Sequence, residues 1–158
     1  MSITESSREP TFVAQQGDRR LIKRFGDAWT SAAKGRFPKW SELREIDLGR
    51  DWNWVFMVDL SQSNGYPHFD FLGSQLAHYA DLYLIGGDDW SVSVLDRAAD
   101  GIKQAVANKA PCTFQDTLTL RDGGGFVFRS LTAPLSDDSV TITHVVGCVS
   151  GGRTELSP

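Results

Sequence analysis

The stretch that decides the fold is residues 112–150. It reads CTFQDTLTL (112–120), RDGGG (121–125), FVFRSLTA (126–133), PLSDD (134–138) and SVTITHVVGCVS (139–150). Three runs rich in β-branched and aromatic residues alternate with two clusters of turn residues, and the Asp-Gly pair in the first cluster is a strong hairpin signal. The stretch therefore predicts three strands joined as an antiparallel meander.

Two more strands are predicted earlier in the chain. Residues 52–60, WNWVFMVDL, are almost continuously apolar, which is typical of a strand covered on both faces. Asn64-Gly65 is a second hairpin signal. Residues 67–72, PHFDFL, then alternate, so that Phe69 and Phe71 are expected on one face of the strand. Five strands are therefore expected in all.

Helices are predicted before and between the two groups of strands. Residues 18–34 carry apolar side chains spaced three and four apart, as an amphipathic helix does. A short helix is expected over residues 42–46, another over 75–83 and a longer one over 94–107. The middle helices would cover one face of the sheet, which leaves the N-terminal helix free to cover the other.

The apolar stripe of the N-terminal helix has two interpretations. It packs against the sheet of its own chain, or it packs against a second copy of itself and makes a homodimer. In the second case the anchors of the interface would be Leu21, Ile22, Phe25 and Trp29.

These elements define the expected fold class and domain limits. The fold is α+β, a five-stranded antiparallel sheet with helices on one face and an additional N-terminal helix. Residues 1–17 are expected to form a flexible tail, 18–50 an N-terminal helical segment, 51–151 the main domain and 152–158 a C-terminal tail.

Composition excludes several classes of partner. The 158 residues carry a net charge of -4, which gives no electrostatic reason to expect nucleic acid or an anionic membrane surface as a partner. No apolar run has the length of a membrane span, and no signal-peptide core is seen at the N-terminus. The two cysteines have no CxxC spacing, so we expect reduced thiols and a cytoplasmic protein.

The element order resembles the PAS fold, and more narrowly the single-PAS signalling proteins common in alphaproteobacteria. The resemblance extends over about residues 21–151. The segments that carry it are Trp29, Gly35-Arg36, Pro38, Asp47-Leu48, VFMVDL (55–60), FDFLGS (69–74) and PLSDD (134–138).

The resemblance implies a sensory or interaction module without catalytic activity, often a homodimer. Its partner would be another signalling protein, such as a histidine kinase or a regulator, and a small molecule is the alternative input. No cofactor is required. The flavin motif Asn-Cys-Arg-Phe-Leu-Gln of light-sensing members does not occur, so no flavin photochemistry is expected. As an alternative to a domain without a cofactor, the resemblance allows a haem, which some PAS-like domains bind; His78 would be its ligand.

Residues of the types used in catalysis do not form a recognisable motif. The histidines His68, His78 and His144 lack the spacing of a metal site, so no metal is expected. The pairs Asp88-Asp89 and Asp137-Asp138 lie in predicted turns, where Asp accepts hydrogen bonds from nearby backbone amides. A small α+β enzyme would need a polar pocket, whereas the predicted inner positions are mostly Phe, Val and Leu.

The aromatic residues of the predicted sheet and its cover leave two interpretations open. They fill a packed core, or they line an apolar pocket for a small ligand. Arg129 would either bind an acidic group of that ligand or point to solvent. The candidate pocket residues are Phe56, Phe69, Phe71, His78, Tyr79, Phe128 and Arg129.

Overall fold

The computed structural model describes residues 18–64, 66–85 and 92–154 of the chain. The strands are β1 (Val55–Asp59), β2 (Phe69–Leu72), β3 (Cys112–Thr119), β4 (Gly125–Leu135) and β5 (His144–Thr154). They form one five-stranded sheet in the order β2-β1-β5-β4-β3, and every neighbouring pair is antiparallel. The predicted five-stranded antiparallel sheet is confirmed.

The helices follow the predicted order with shifted limits. They are α1 (Asp18–Ala33), α2 (Trp40–Arg44), α3 (Val94–Ala99) and α4 (Gly101–Asn108), with 3-10 helices at Gly49–Trp54 and Leu76–Asp81. The helix expected over residues 94–107 is two helices that meet at Asp100. At the start of α4, a side chain on Gly101 would lie 2.9 Å from the Thr132 hydroxyl, so the helix packs directly on β4 there.

Both faces of the sheet are buried, each in its own core. The outer face, which α1 covers, presents Val55, Met57, Leu131, Ala133, Val146 and Cys148. The inner face, which the Leu76–Asp81 helix and α3 cover, presents Phe56, Val58, Phe126, Phe128 and Val149. Strand β1 is therefore covered on both faces, as its continuous apolar sequence predicts.

Helix α1 belongs to the core of its own chain. Leu21, Phe25 and Trp29 are buried, and the indole Nε1 of Trp29 donates a hydrogen bond to the Pro134 carbonyl at 2.8 Å. Ile22 is half-buried at the edge of this core. Of the two interpretations of the apolar stripe, packing against the sheet of the same chain is therefore the one that the structure shows. Leu21, Phe25 and Trp29 are not surface anchors for a dimer, because the sheet already covers them.

The domain limits differ from those expected. Strand β5 continues to Thr154, so the tail expected over residues 152–158 begins inside a strand. The outer core joins α1 to the sheet, so the segments 18–50 and 51–151 share one hydrophobic cluster. The tail expected over residues 1–17 and residues 155–158 lie outside the described part of the chain. Within the described part, no helix combines the length and apolarity needed to cross a bilayer.

Two glycines of β5 are required by close packing across the sheet. A Cβ on Gly147 would overlap the ring of Phe56, which is fully buried on the inner face. A Cβ on Gly151 would overlap the carbonyl of Val127 on the neighbouring strand. Strand β5 can therefore hold its central position only with glycine at these two places.

The turn between β4 and β5 is built on one carboxylate. The Asp138 side chain accepts hydrogen bonds from the N–H groups of Thr141 and Val140, at 2.8 and 2.9 Å, and from the Ser136 hydroxyl at 2.8 Å. These donors, the Thr141 amide first, stabilise the ionised form and lower the pKa of Asp138 to about 2. The turn role predicted for the Asp137-Asp138 pair is confirmed for Asp138.

Substitution of Gly147 by Ala tests the packing of β5 on Phe56. Because the added methyl meets a fully buried ring, we expect the free energy of unfolding to fall by about 1–3 kcal/mol. Phe56→Leu in the same chain should recover part of the loss, and Phe56→Leu alone provides the reference. Urea unfolding measures all three. Unchanged stability of Gly147→Ala would contradict the packing.

Substitution of Asp138 by Ala tests the turn and its dependence on pH. The carboxylate has a lower pKa in the folded chain than in the unfolded chain, so its stabilisation is complete above pH 4 and disappears as the pH falls towards 2. The melting temperature of the variant should therefore lie below that of the wild type at pH 7 and converge with it near pH 2. Asp138→Asn keeps an acceptor and should lie between them. A difference that stays constant with pH would contradict this role.

Candidate ligand cleft beside the inner face

Three of the predicted pocket residues are part of a filled core. Phe56 and Phe128 are completely buried. Tyr79 donates its hydroxyl to the Gly151 carbonyl at 3.1 Å, and its ring meets Phe126 edge-on with 5.2 Å between centroids. Edge-to-face aromatic contacts of this kind stabilise packed interiors. These three residues therefore fill a packed core and do not line a ligand pocket.

The two phenylalanines of β2 lie on opposite faces of the sheet, contrary to the prediction. Phe69 packs on the inner face against Phe56, with 5.7 Å between ring centroids. Phe71 packs on the outer face against Trp40 at 5.2 Å. The register of the β1–β2 pairing shifts between these two residues, and such a β-bulge interrupts the regular alternation of side chains.

The two polar candidates also lie away from the packed inner face. Arg129 is paired across strands with Gln115, and its Nε donates to the Gln115 side-chain oxygen at 3.2 Å. Arg129 and Ile22 of α1 line the same shallow groove, which places Arg129 on the outer side. His78 is exposed on the second 3-10 helix. His78, the haem ligand of the alternative interpretation, therefore does not face an interior pocket.

An open cleft of about 780 Å³ adjoins the inner core where α3 and α4 face the β1–β2 connection. Its apolar wall consists of Val58, Leu60, Val92, Ala99 and Ile102. The β1–β2 connection contributes Ser63, Tyr66 and Pro67, and the helices contribute Asp96, Asp100 and Lys103. None of the seven predicted pocket residues lines this cleft. Ile102 is an apolar residue of the helix predicted over residues 94–107, and this is the sequence signal that could have pointed to the cleft.

The charged groups of the cleft are not equivalent. Asp96 accepts the Ser93 N–H at 2.9 Å and donates its own N–H to the Ser93 hydroxyl, a reciprocal cap at the start of α3. Asp100 lies 3.5 Å from Nε of Arg97. Within the described residues, Lys103 makes no ion pair. The cleft thus combines an apolar wall with the side chain of Lys103.

A second cleft, of about 630 Å³, lies on the other side of α4 against β3. Its walls include the polar side chains of Gln104, Asn108 and Thr113 beside the half-exposed ring of Phe114. Ligand sites are mostly apolar, with a few polar groups that fix orientation. The cleft beside Val58 is the larger of the two and is lined by Val58, a residue of the inner core.

Comparison with known proteins finds similar structures but no similar sequences. No protein-family model matches the chain, and no curated protein matches it. The dark structure of the blue-light photoreceptor Aureochrome1 LOV is 17% identical with a TM-score of 0.45, over 76% of this chain and 86% of that chain. The LOV domain of the Erythrobacter litoralis EL346 blue-light activated histidine kinase is 17% identical with a TM-score of 0.41, over 61% and 93%. The Rhodobacter sphaeroides LOV protein is 11% identical with a TM-score of 0.41, over 89% and 71%.

The predicted α+β fold with a five-stranded antiparallel sheet is confirmed by the strand order of this chain. The similar structures are LOV domains, a group of PAS domains. The expectation that excludes flavin photochemistry is wrong. The similar structures are LOV domains of blue-light photoreceptors, and another, at 13% identity, concerns the LOV mechanism studied with a flavin analogue. The absence of one sequence motif does not exclude flavin from a fold.

Proposed function

We propose that this chain is a sensory signalling domain that binds a small molecule in the cleft between α3–α4 and the β1–β2 connection. The observation that carries the proposal is the cleft itself. Its volume, about 780 Å³, is in the range of sites for small ligands and cofactors. It adjoins the inner core at Val58, so a ligand there touches the sheet and both helices at once.

The lining indicates the chemical class of the ligand. Val58, Leu60 and Ile102 suit an apolar or aromatic body. Lys103 at the rim suits an anionic group such as a carboxylate or a phosphate, because an ammonium group interacts with such anions as a point charge. We therefore propose a small amphipathic anion, a class that includes aromatic acids and flavin mononucleotide.

The proposed role is regulatory and does not include catalysis. The carboxylates of the cleft are used in local structure, Asp96 as a helix cap and Asp100 beside Arg97. Acid–base catalysis would require titratable groups with matched pKa values that face the ligand. The proposed output is contact with another signalling protein, such as a histidine kinase or a regulator. The proposal needs no dimer through α1, whose main apolar side chains are buried.

Filling the cleft tests the proposal. Ala99 is a half-buried residue of the cleft on α3, and Ala99→Phe places a ring where the ligand would bind. Binding of flavin mononucleotide and of a panel of aromatic acids is followed by thermal shift and by native mass spectrometry. We expect Ala99→Phe to weaken binding at least about tenfold, a loss of about 1.4 kcal/mol. Ala107→Phe, an exposed position of α4, is the matched control and should bind as the wild type does.

The anion contact is tested at Lys103. Lys103→Met should weaken binding of the anionic ligands, whereas Lys103→Arg, which keeps the charge, should preserve most of the affinity. Equal binding by Ala99→Phe and the wild type would contradict the cleft as the site. Binding that Ala99→Phe abolishes and Lys103→Met leaves unchanged would contradict only the anionic class of ligand.

A further inference from the structure

A cluster of histidine and aspartate side chains lies where β1 ends and β5 begins. Asp59 is the last residue of β1 and pairs directly with His144, the first residue of β5. Asp70 of β2 lies next to them, at the β-bulge that turns Phe71 to the outer face. Three strands that are distant in sequence therefore bring one imidazole and two carboxylates together.

The distances between these groups are those of ligands around a common centre. Nε2 of His144 lies 3.8 Å from Oδ2 of Asp59 and 3.9 Å from Oδ2 of Asp70. One ligand atom from each of the three residues lies within 4.8 Å of the others. These separations are too long for hydrogen bonds. Ligand atoms about 2.1 Å from one cation lie roughly 3–4 Å apart, so a small adjustment closes the set around a metal ion.

Two of the three groups, His144 and Asp59, are oriented by a further partner. Nδ1 of His144 is 2.8 Å from the Thr143 hydroxyl, and donation of Nδ1–H to that oxygen leaves the lone pair of Nε2 free. Oδ1 of Asp59 accepts from the N–H and the hydroxyl of Ser61, at 2.9 and 2.8 Å, which leaves Oδ2 free. Partners of this kind orient the ligands of metal sites in proteins.

We propose that Asp59, Asp70 and His144 bind a divalent transition-metal cation of the Zn²⁺ type. An imidazole with two carboxylates suits such cations, whereas Mg²⁺ and Ca²⁺ prefer oxygen ligands alone. His68 lies beside the cluster, with its Nε2 3.2 Å from Oδ1 of Asp70, the carboxylate oxygen that faces away from His144. The side chains of His144 and Asp59 are 14% and 17% exposed and that of Asp70 is 36% exposed, so the site is sheltered but open on one side.

The inference is independent of the ligand cleft. The cation would join β1, β2 and β5 at one end of the sheet and needs no residue of the apolar wall. The sequence gives no sign of it, because the ligands lack the close spacing of a metal motif.

Isothermal titration of the full chain with ZnCl₂, after treatment with a chelator, tests the site. We expect one Zn²⁺ bound per chain, a melting temperature that rises with the Zn²⁺ concentration, and no comparable effect of MgCl₂. The imidazole NMR signals of His144 should shift on addition of Zn²⁺, and those of His78 should not.

Variants separate this site from adventitious binding. Asp70→Asn is nearly isosteric and partly exposed, so it should fold and lose at least about tenfold in affinity. His144→Gln should lose more. The matched controls, Asp81→Asn and His78→Gln, change the same residue types outside the cluster and should bind as the wild type does.

The proposal is overturned if the wild type binds no Zn²⁺, if Asp70→Asn binds as tightly as the wild type, or if the controls weaken binding equally. Circular dichroism establishes that each variant is folded. Where His144→Gln does not fold, the comparison of Asp70→Asn with Asp81→Asn decides.

Discussion

The structure depends on the burial of both faces of one antiparallel sheet. In β1 and β5 neighbouring residues point to opposite sides, yet Val55 and Phe56 are both fully buried, and so are Val145 and Val146. Burial of one such side chain contributes about 1.5–3 kcal/mol, so neither face can be left in water without a large loss of stability. The inner face takes its cover from the helices between β2 and β3, and the outer face takes its cover from α1.

This constraint also determines where a ligand can bind. Phe56, Phe126, Phe128 and Tyr79 fill the centre of the inner layer, so the open volume lies at the flank, between the β1–β2 connection and the α3–α4 pair. A ligand there would contact the inner core at its edge, at Val58. In the proposed function, a displacement of α3 and α4 on the sheet links binding at this place to signalling.

The β-bulge in the β1–β2 pair has consequences on both faces. It sends Phe69 inward and Phe71 outward, where the Arg44 guanidinium lies 4.8 Å from the ring centroid of Phe71. It also leaves Asp70 near Asp59 and His144. Bulges often redirect side chains in this way. One irregular residue pair thus contributes to the outer core and to the proposed cation site.

Much of the fold could be predicted from the sequence. The apolar spacing in α1, the Asp122-Gly123 turn and the two-sided run in β1 each follow a local rule that the structure obeys. The β-bulge could not be predicted, because FDFL alternates as a regular strand does. The filling of the inner layer could not be predicted either, since a packed core and an apolar pocket use the same residue types. The cluster of Asp59, Asp70 and His144 could not be predicted, because it depends on the pairing register of three strands and a local sequence pattern does not determine that register.

The central claim is that α1 is part of the folded core and not an appendage. Hydrogen–deuterium exchange of the native chain, read peptide by peptide by mass spectrometry, measures this directly, because amides of a core element exchange only through openings that approach global unfolding. We expect the amides of residues 21–33 to be protected to the same extent as those of β4 and β5. Exchange of residues 21–33 within seconds, while the strands remain protected, would contradict it.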